Sequence, residues 1–204
     1  SVLVADQGRV TSWQYNDTGN PVSREENGYA LINETPTLKT YRTEYGHNSF
    51  GQLTSIDGPR TDVSDVTTFE YYENTPSQRN NRGQLKAIVN ALGQRTEYSG
   101  YDANGNIGKI KDPNGVITQY TYDERNRIKT ITKTITRAKS QYFYDSHGNL
   151  SLVIFPEGNE LEFTYDPADR LTDIKDNLGN TIHFENEQEG NRTREERRDP
   201  KGEL

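Results

Sequence analysis

The chain has 204 residues, a net charge of -7 and neither Cys nor Met. The lack of Cys excludes a disulfide framework and a thiolate metal site. No run of 18 apolar residues is present to cross a membrane as a helix, and the acidic balance argues against nucleic acid, which wants a basic face. Hydrophobic residues are 29% of the chain, and 13 of the residues are Tyr. That is well below the roughly 45–50% of an ordinary globular domain. Low apolar content with high charge is a disorder signature, but here the aromatics fall at periodic positions. A thin β structure of one or two layers accounts for both the small core and the order. Ser1 in place of Met reads as the start of an excised or processed piece, and no signal peptide opens it.

The first 90 residues read as long, loosely spaced repeats. Trp13 and Tyr15 precede a Gly19 turn, and Gly51 and Gly83 follow at intervals of 32. Ser1–Trp13 enters in mid-repeat, with Gly8 as an early turn. Extra residues fall at Glu25–Lys39, Gly58–Ser64 and Glu73–Asn81; they are polar and read as surface loops, the places where a repeat array carries any specific contact.

From residue 91 to 204 the repeat tightens to 21–22 residues. Its turn positions are Gly105, Asn126, Gly148, Asp169 and Gly190. An aromatic pair stands ahead of each turn, as in Tyr120/Tyr122, Tyr142/Tyr144 and Phe163/Tyr165, and Phe69/Tyr71 belongs to the same set. The two members are two residues apart and so share one face of a strand. Side-by-side hairpins are expected to align them into aromatic ladders with Tyr144 and its equivalents in the core. After the turn the spacing becomes three: Leu53/Ile56, Leu85/Ile88, Ile107/Ile110, Ile128/Ile131, Leu150/Val153 and Leu171/Ile174. Either both faces are partly covered or a β-bulge just past the turn restores one face, and the bulge is the favoured reading. A second turn per period, Asp-Pro-x-Gly or a relative, is marked by Gly93, Gly115, Gly158 and Gly179. Gly, Asn and Asp are the residues that accept the left-handed conformation such turns need. In the last unit Asn186 stands where the second aromatic is expected, so the motif degrades there. Asp199-Pro200-Lys201-Gly202 reads as one more repeat turn.

The strings Tyr101-Asp102-Ala-Asn-Gly105-Asn106-Ile107, Tyr122-Asp123 to Ile128, Tyr144-Asp145 to Leu150 and Tyr165-Asp166 to Leu171, with Asp112-Pro113-Asn114-Gly115 between, resemble the YD-repeat or Rhs-repeat family. The resemblance implies an all-β array of antiparallel hairpins, about eight repeats over residues 1–204, forming a curved sheet or an arc of a hollow spiral shell. In bacterial Rhs proteins and Tc-toxin cocoons such a shell encloses a toxic C-terminal domain; in teneurins a related shell supports adhesion. The motif positions carried over are Tyr15, Gly19, Gly83, Tyr101, Asp102, Gly105, Gly115, Tyr122, Asp123, Asn126, Tyr144, Asp145, Gly148, Tyr165, Asp166 and Gly179, all in a structural role.

Candidate chemistry is sparse. His47, His147 and His183 stand apart with no ligand set around them. Asp102-Ala-Asn104-Gly105-Asn106 lacks the spaced acids of a calcium loop. No phosphate loop or nucleophile elbow occurs. Arg192, Arg194, Arg197 and Arg198, interleaved with Glu187, Glu189, Glu195 and Glu196, read as a solvated, self-compensating surface. The sequence therefore points to a non-enzymatic shell segment without cofactor or metal, secreted or at the cell surface of a bacterium. Its partners are the rest of its own shell and an enclosed polypeptide. Lys129–Lys139 and the charged tail are expected to guard edge strands. The alternative is a cell-surface adhesion or carbohydrate-binding module, with Trp13 and Tyr29 among the contacts.

Overall fold

The computed structural model describes residues 4–6, 9–32 and 35–203, so Gly8 and Ser1 lie outside it. The chain divides into two compact units, Ser1–Ser99 and Gly100–Leu204. The first holds β1 (Val4–Asp6), β2 (Arg9–Tyr15), β3 (Pro21–Ile32), β4 (Thr35–His47), β5 (Leu53–Asp57), β6 (Thr67–Tyr71), β7 (Leu85–Val89) and β8 (Arg95–Ser99). The second holds β9 (Lys109–Lys111), β10 (Ile117–Tyr122), β11 (Ile128–Lys133), β12 (Lys139–Tyr144), β13 (Leu150–Ile154), β14 (Glu160–Tyr165), β15 (Leu171–Asp176), β16 (Thr181–Asn186) and β17 (Arg192–Arg198). Within each unit every strand pairs antiparallel with the next one in sequence. Each unit is thus an array of hairpins in one layer.

The bulge forms where the spacing places it. Tyr120 pairs with Ile131 and Tyr122 with Ile128, the register shifting between Thr121 and Tyr122 so that Lys129 is the extra residue. Ser151 is extra in the next hairpin and Thr172 in the one after. The same shift follows the turns after Tyr15, His47, Tyr71 and Asn186. Pairs two apart on one strand thereby meet pairs three apart on the other, all on one face. The polar extra residue takes the kink.

This register corrects the ladder expectation. In the regular hairpins the aromatics face aliphatic residues: Tyr142 pairs with Val153, Phe163 with Ile174 and Phe69 with Ile88, whereas Trp13 faces Arg24 and Phe184 faces Glu195. Antiparallel neighbours run in opposite directions, so the aromatic leg of one hairpin lies beside the aliphatic leg. Among the described residues only Trp13 and Tyr45 stack ring on ring, at 6.0 Å between centroids and 17° between planes. The core is correspondingly thin. Among the described residues its buried hydrophobics are Ala87, Tyr101, Val153 and Phe184; Tyr144 and its equivalents Tyr71, Tyr122 and Tyr165 are half-buried, not core.

Two of the three extra segments are loops. Gly58–Ser64 lies in the connection between β5 and β6, and Glu73–Asn81 carries a short 3-10 segment, Pro76–Asn81. The Glu25–Lys39 segment is not a loop. It lengthens β3 and β4 to 12 and 13 residues, paired from Ser23 with Glu44 out to Ile32 with Thr35. β2 accompanies β3 only as far as the Val10–Asn27 pair, and β5 accompanies β4 only from Glu44. The far part is therefore a two-stranded arm, with Leu38 and Tyr41 more than half exposed. Lys129–Lys139 guards no edge either: Lys129–Lys133 belongs to β11, which is hydrogen-bonded to β10 and β12.

The opposite face is polar and held by ion pairs. In the first unit Arg95 bridges from β8 to Glu70 on β6 through two bonds of 2.6 and 2.9 Å, and to Glu97 at 3.1 Å. Ala87 of β7, between Glu70 and Glu97 in the same row, is fully buried. In the second unit Arg194 and Arg198 both pair with Glu196 on this face, while Arg192 and Arg197 pair with Glu195 on the face of Phe184, the cross-strand partner of Glu195. The charges compensate one another as expected, but Glu196 is buried rather than solvated, and the Arg192 guanidinium lies 3.7 Å over the Phe184 ring.

The tyrosine–aspartate turn edge as candidate functional site

The repeated turns are the one arrangement that recurs along both units, and they share one local design. In Asp123–Arg127, the Asp123 N–H donates to the Arg127 carbonyl and the Asn126 N–H to the Asp123 carbonyl. Asn126 is left-handed, with φ 62°. This is the three-residue hairpin loop in which a tight turn is closed by a left-handed residue. The Asp123 carboxylate accepts the N–H groups of Arg125 and Arg127, at 2.9 and 3.0 Å. Asp102 and Asp166 do the same in their turns, Asp145 accepts the N–H groups of Gly148 and Asn149, and Asn16 and Asn48 repeat the Asp123 pattern with an amide oxygen. The Asp-Pro-x-Gly turns are not a second type: Asp112–Val116, Asp176–Asn180 and Asp199–Glu203 show the same bonds, with Gly115 and Gly179 in the left-handed place. What distinguishes the two edges is the bulge, which follows the tyrosine side alone.

The bulge explains the tyrosine. Because it diverts the start of β11, β11 and β12 pair only over Thr130–Gln141 to Thr132–Lys139, and the strands part near the turn. The Tyr144 hydroxyl crosses that gap and donates to the Ile128 carbonyl at 2.9 Å. Tyr122 reaches Ile107 and Tyr165 reaches Leu150, both at 2.9 Å, and Tyr71 reaches Leu53 at 2.8 Å. Leu53, Ile128 and Leu150 are the first strand residues after the preceding turn, and Ile107 holds the same place after its turn, two residues ahead of β9. Burial pushes these hydroxyls up from their ordinary pKa, so they stay protonated donors. Asn186 is no degraded position: its carboxamide donates to the Leu171 carbonyl at 3.0 Å and makes the same tie. His47 occupies the tyrosine place in the second hairpin, where its Nδ1 is buried without a hydrogen-bond partner. Of the remaining motif residues, Tyr15 ends β2 half exposed, Tyr101 is buried, and Gly19, Gly83, Gly105 and Gly148 are left-handed turn residues.

A second set of bonds, which the motif does not announce, runs from turn to turn. It starts from the residue after the left-handed one. The Asn106 carboxamide donates to Asp102 Oδ2 and to Asn126 Oδ1 of the next turn, both at 2.9 Å. Arg127 binds Asp123 at 2.7 Å and lies over the Tyr144 ring at 4.1 Å. Asn149 donates to Asp169 Oδ1 at 2.7 Å, and Arg170 to the Glu187 carbonyl at 2.5 Å. In the first unit Gln52 reaches the Gly83 carbonyl at 2.7 Å. The same partners hold the aspartates below the usual carboxylate range: the Asn106 carboxamide and N–H for Asp102, and the Arg127 and Arg170 N–H groups with their guanidinium groups for Asp123 and Asp166. Sequence alone could register only that Asn, Gln or Arg recurs here.

Among the described residues the aspartates of this edge serve the turns. Their carboxylates are engaged by turn N–H groups, and an open groove of about 490 Å³ around Tyr122, Arg125, Lys129 and Asp145 mixes both charges. Among the described residues no cluster of three or more His, Cys, Asp or Glu is placed to hold a metal. His147 lies within a turn, and His183 Nδ1 sits 2.7 Å from Asp173. Trp13 is not an open sugar platform: Tyr45 stacks on it and Arg24 lies over its ring at 5.6 Å. Tyr29 falls outside the described side chains.

Solved structures that share this fold include Tc-toxin assemblies. The crystal structure of TcdB2–TccC3–Cdc42 matches with a TM-score of 0.73 and 17% identity, over 98% of this chain and 12% of that one. A Photorhabdus luminescens Tc holotoxin pore with a mutated TccC3 matches with a TM-score of 0.74 and 18% identity, over 99% of this chain and 12% of that one. The chain thus spans about an eighth of either neighbour. No curated protein sequence matches it. The family model described as Teneurin YD-shell matches residues 76–203, more than half of the chain. With the tyrosine tie, the aspartate turn and the bulge repeating in register, the chain belongs to the YD-shell family.

Proposed function

We propose that this chain is a stretch of wall in a secreted bacterial YD shell, an array running through all 204 residues that encloses or displays a polypeptide at the C-terminal end of its parent. It works without catalysis. The observation that carries this reading is the tying of hairpins along one edge within each unit, Tyr71–Leu53 in the first and Tyr122–Ile107 through Asn186–Leu171 in the second, each unit a single layer with few buried residues among those described. Such a layer supplies surface and continuity rather than a pocket. The Tc-toxin folds that it resembles support the same role.

The test uses the full parent polypeptide. With the ties intact, the enclosed segment should survive limited proteolysis that digests it once the shell is denatured. Replacing Tyr122, Tyr144 and Tyr165 together by Phe should open the wall and expose the segment to protease. Equal protection with all three hydroxyls gone overturns the role assigned to the ties. Digestion of the segment in the unaltered parent overturns containment itself.

A further inference from the structure

The last two residues of successive turns alternate along the second unit: Gly105-Asn106, Asn126-Arg127, Gly148-Asn149, Asp169-Arg170, Gly190-Asn191. The alternation matches the bonds between turns. A short Asn follower, Asn106 or Asn149, meets a left-handed residue that offers a side-chain oxygen, Asn126 Oδ1 or Asp169 Oδ1. A long Arg follower, Arg127 or Arg170, meets a left-handed Gly and reaches past it, to the Tyr144 ring or the Glu187 carbonyl. At Gly148 the room is needed, since a Cβ there would lie 3.3 Å from Arg127 Nη1. Short reach is matched with an acceptor, and long reach with empty space.

We propose that within the second unit this residue pair is a neighbour code, which specifies which YD hairpin can stand next to which; the rule does not extend to the first unit, where the short Asn20 stands against the left-handed Gly51, a Cβ there lying 3.3 Å from Asn20 Nδ2. An Asn-type turn accepts a hairpin with Asn or Asp in the left-handed place; an Arg-type turn ahead of Gly148 accepts one with Gly. The code deepens the wall reading, because it sets the order in which hairpins of similar backbone can be laid down. By the same rule Asn191, whose carboxamide turns back to Glu187, presents the short half to a hairpin with Asn or Asp in the left-handed place.

The test is a compensating pair in the intact chain, read by thermal unfolding and by hydrogen exchange across residues 123–149. Gly148→Asn should lower the melting temperature, because the new side chain meets Arg127. Arg127→Asn should also lower it, because the short side chain finds no acceptor at Gly148. The double variant recreates the Asn-to-Asn junction of Asn106 and Asn126, and it should recover to within about 2 °C of the parent, less than the shift expected from a single lost interaction in a chain of this size. Gly115→Asn is the control for the left-handed backbone, since a Cβ at Gly115 has nothing within 4 Å. Recovery by the double variant supports the code. Losses that simply add, or a Gly148→Asn loss no larger than that of Gly115→Asn, overturn it. Neither outcome bears on containment, which proteolysis of the parent reads separately.

Discussion

The Tyr144 tie can be weighed atom by atom. Tyr144→Phe keeps the ring and the Arg127 contact and removes one hydrogen bond of 2.9 Å to Ile128. Such a bond contributes about 0.5–1.5 kcal/mol net. In a domain of 150–250 residues about 1 kcal/mol corresponds to a melting shift of roughly 2–4 °C. Tyr144→Ala also removes the ring. A fully buried aromatic truncation costs about 3–5 kcal/mol, but Tyr144 is half-buried. About half of that, plus about 0.5–1 kcal/mol for the cation–π contact and the lost bond, gives a total of about 2.5–5 kcal/mol. Repeat arrays unfold locally, so a global melt alone can hide the effect. Amide exchange of Thr130–Thr132 and Gln141–Tyr144 is the sharper assay, and both segments should lose protection in the Phe variant. A Phe variant that melts and exchanges like the parent would refute the tie, and an Ala variant no worse than Phe would refute the packing part.

Other expectations follow from the same contacts. His47→Tyr should stabilise by about 1 kcal/mol, because it replaces the unpartnered Nδ1 with a hydroxyl of the length used by Tyr71 and Tyr144; a lower melting temperature would show that the second hairpin leaves no acceptor in reach. Ala87→Leu should cost about 1–3 kcal/mol by overpacking, since the fully buried methyl lies in the row spanned by the Arg95–Glu70 bridge; loss of Glu70→Gln sensitivity in that background would confirm the displaced bridge, and unchanged stability would count against it. Asp102, Asp123, Asp145, Asp166 and Asp176 all have lowered carboxyl pKa values. Lowered folded values mean that the stabilisation is present above the ordinary carboxylate range, near pH 4, and is lost as pH falls through the lowered values. Melting temperature should therefore hold from pH 7 to about 5 and fall below about 4. Replacing all five by Asn, which already serves in the Asn16 and Asn48 turns, should flatten that acid limb.

Much of this architecture is legible in the residues, and the reasons for the misses are physical. The two-then-three spacing around each turn identifies the bulge, because strand alternation leaves no other way to put Tyr120, Tyr122, Ile128 and Ile131 on one face. The left-handed turn residues are legible because few side chains tolerate that conformation. The arm at residues 28–39 reads as a loop because Gly28, Asn33 and Pro36 punctuate its sequence, whereas the strands pair straight through Gly28 and Pro36. The roles of Asn106, Asn149 and Arg170 were hidden because each bonds to a residue 17–20 positions away, a contact that local pattern does not encode. Asn186 reads as a lapse only where aromatic character is what its place in the repeat demands; what that place requires is a donor that reaches the Leu171 carbonyl.

Within each unit every strand pairs with its successor in the chain, and this has a kinetic consequence. Closing such contacts costs little loop entropy, which favours fast folding relative to β topologies with distant pairings. Each hairpin can be completed on the one before it as soon as its own 20 or so residues are available, without waiting for any later segment. Growth then has a direction, from the first hairpin to the last, and a fault in one turn halts docking at that point instead of scrambling what is already laid down.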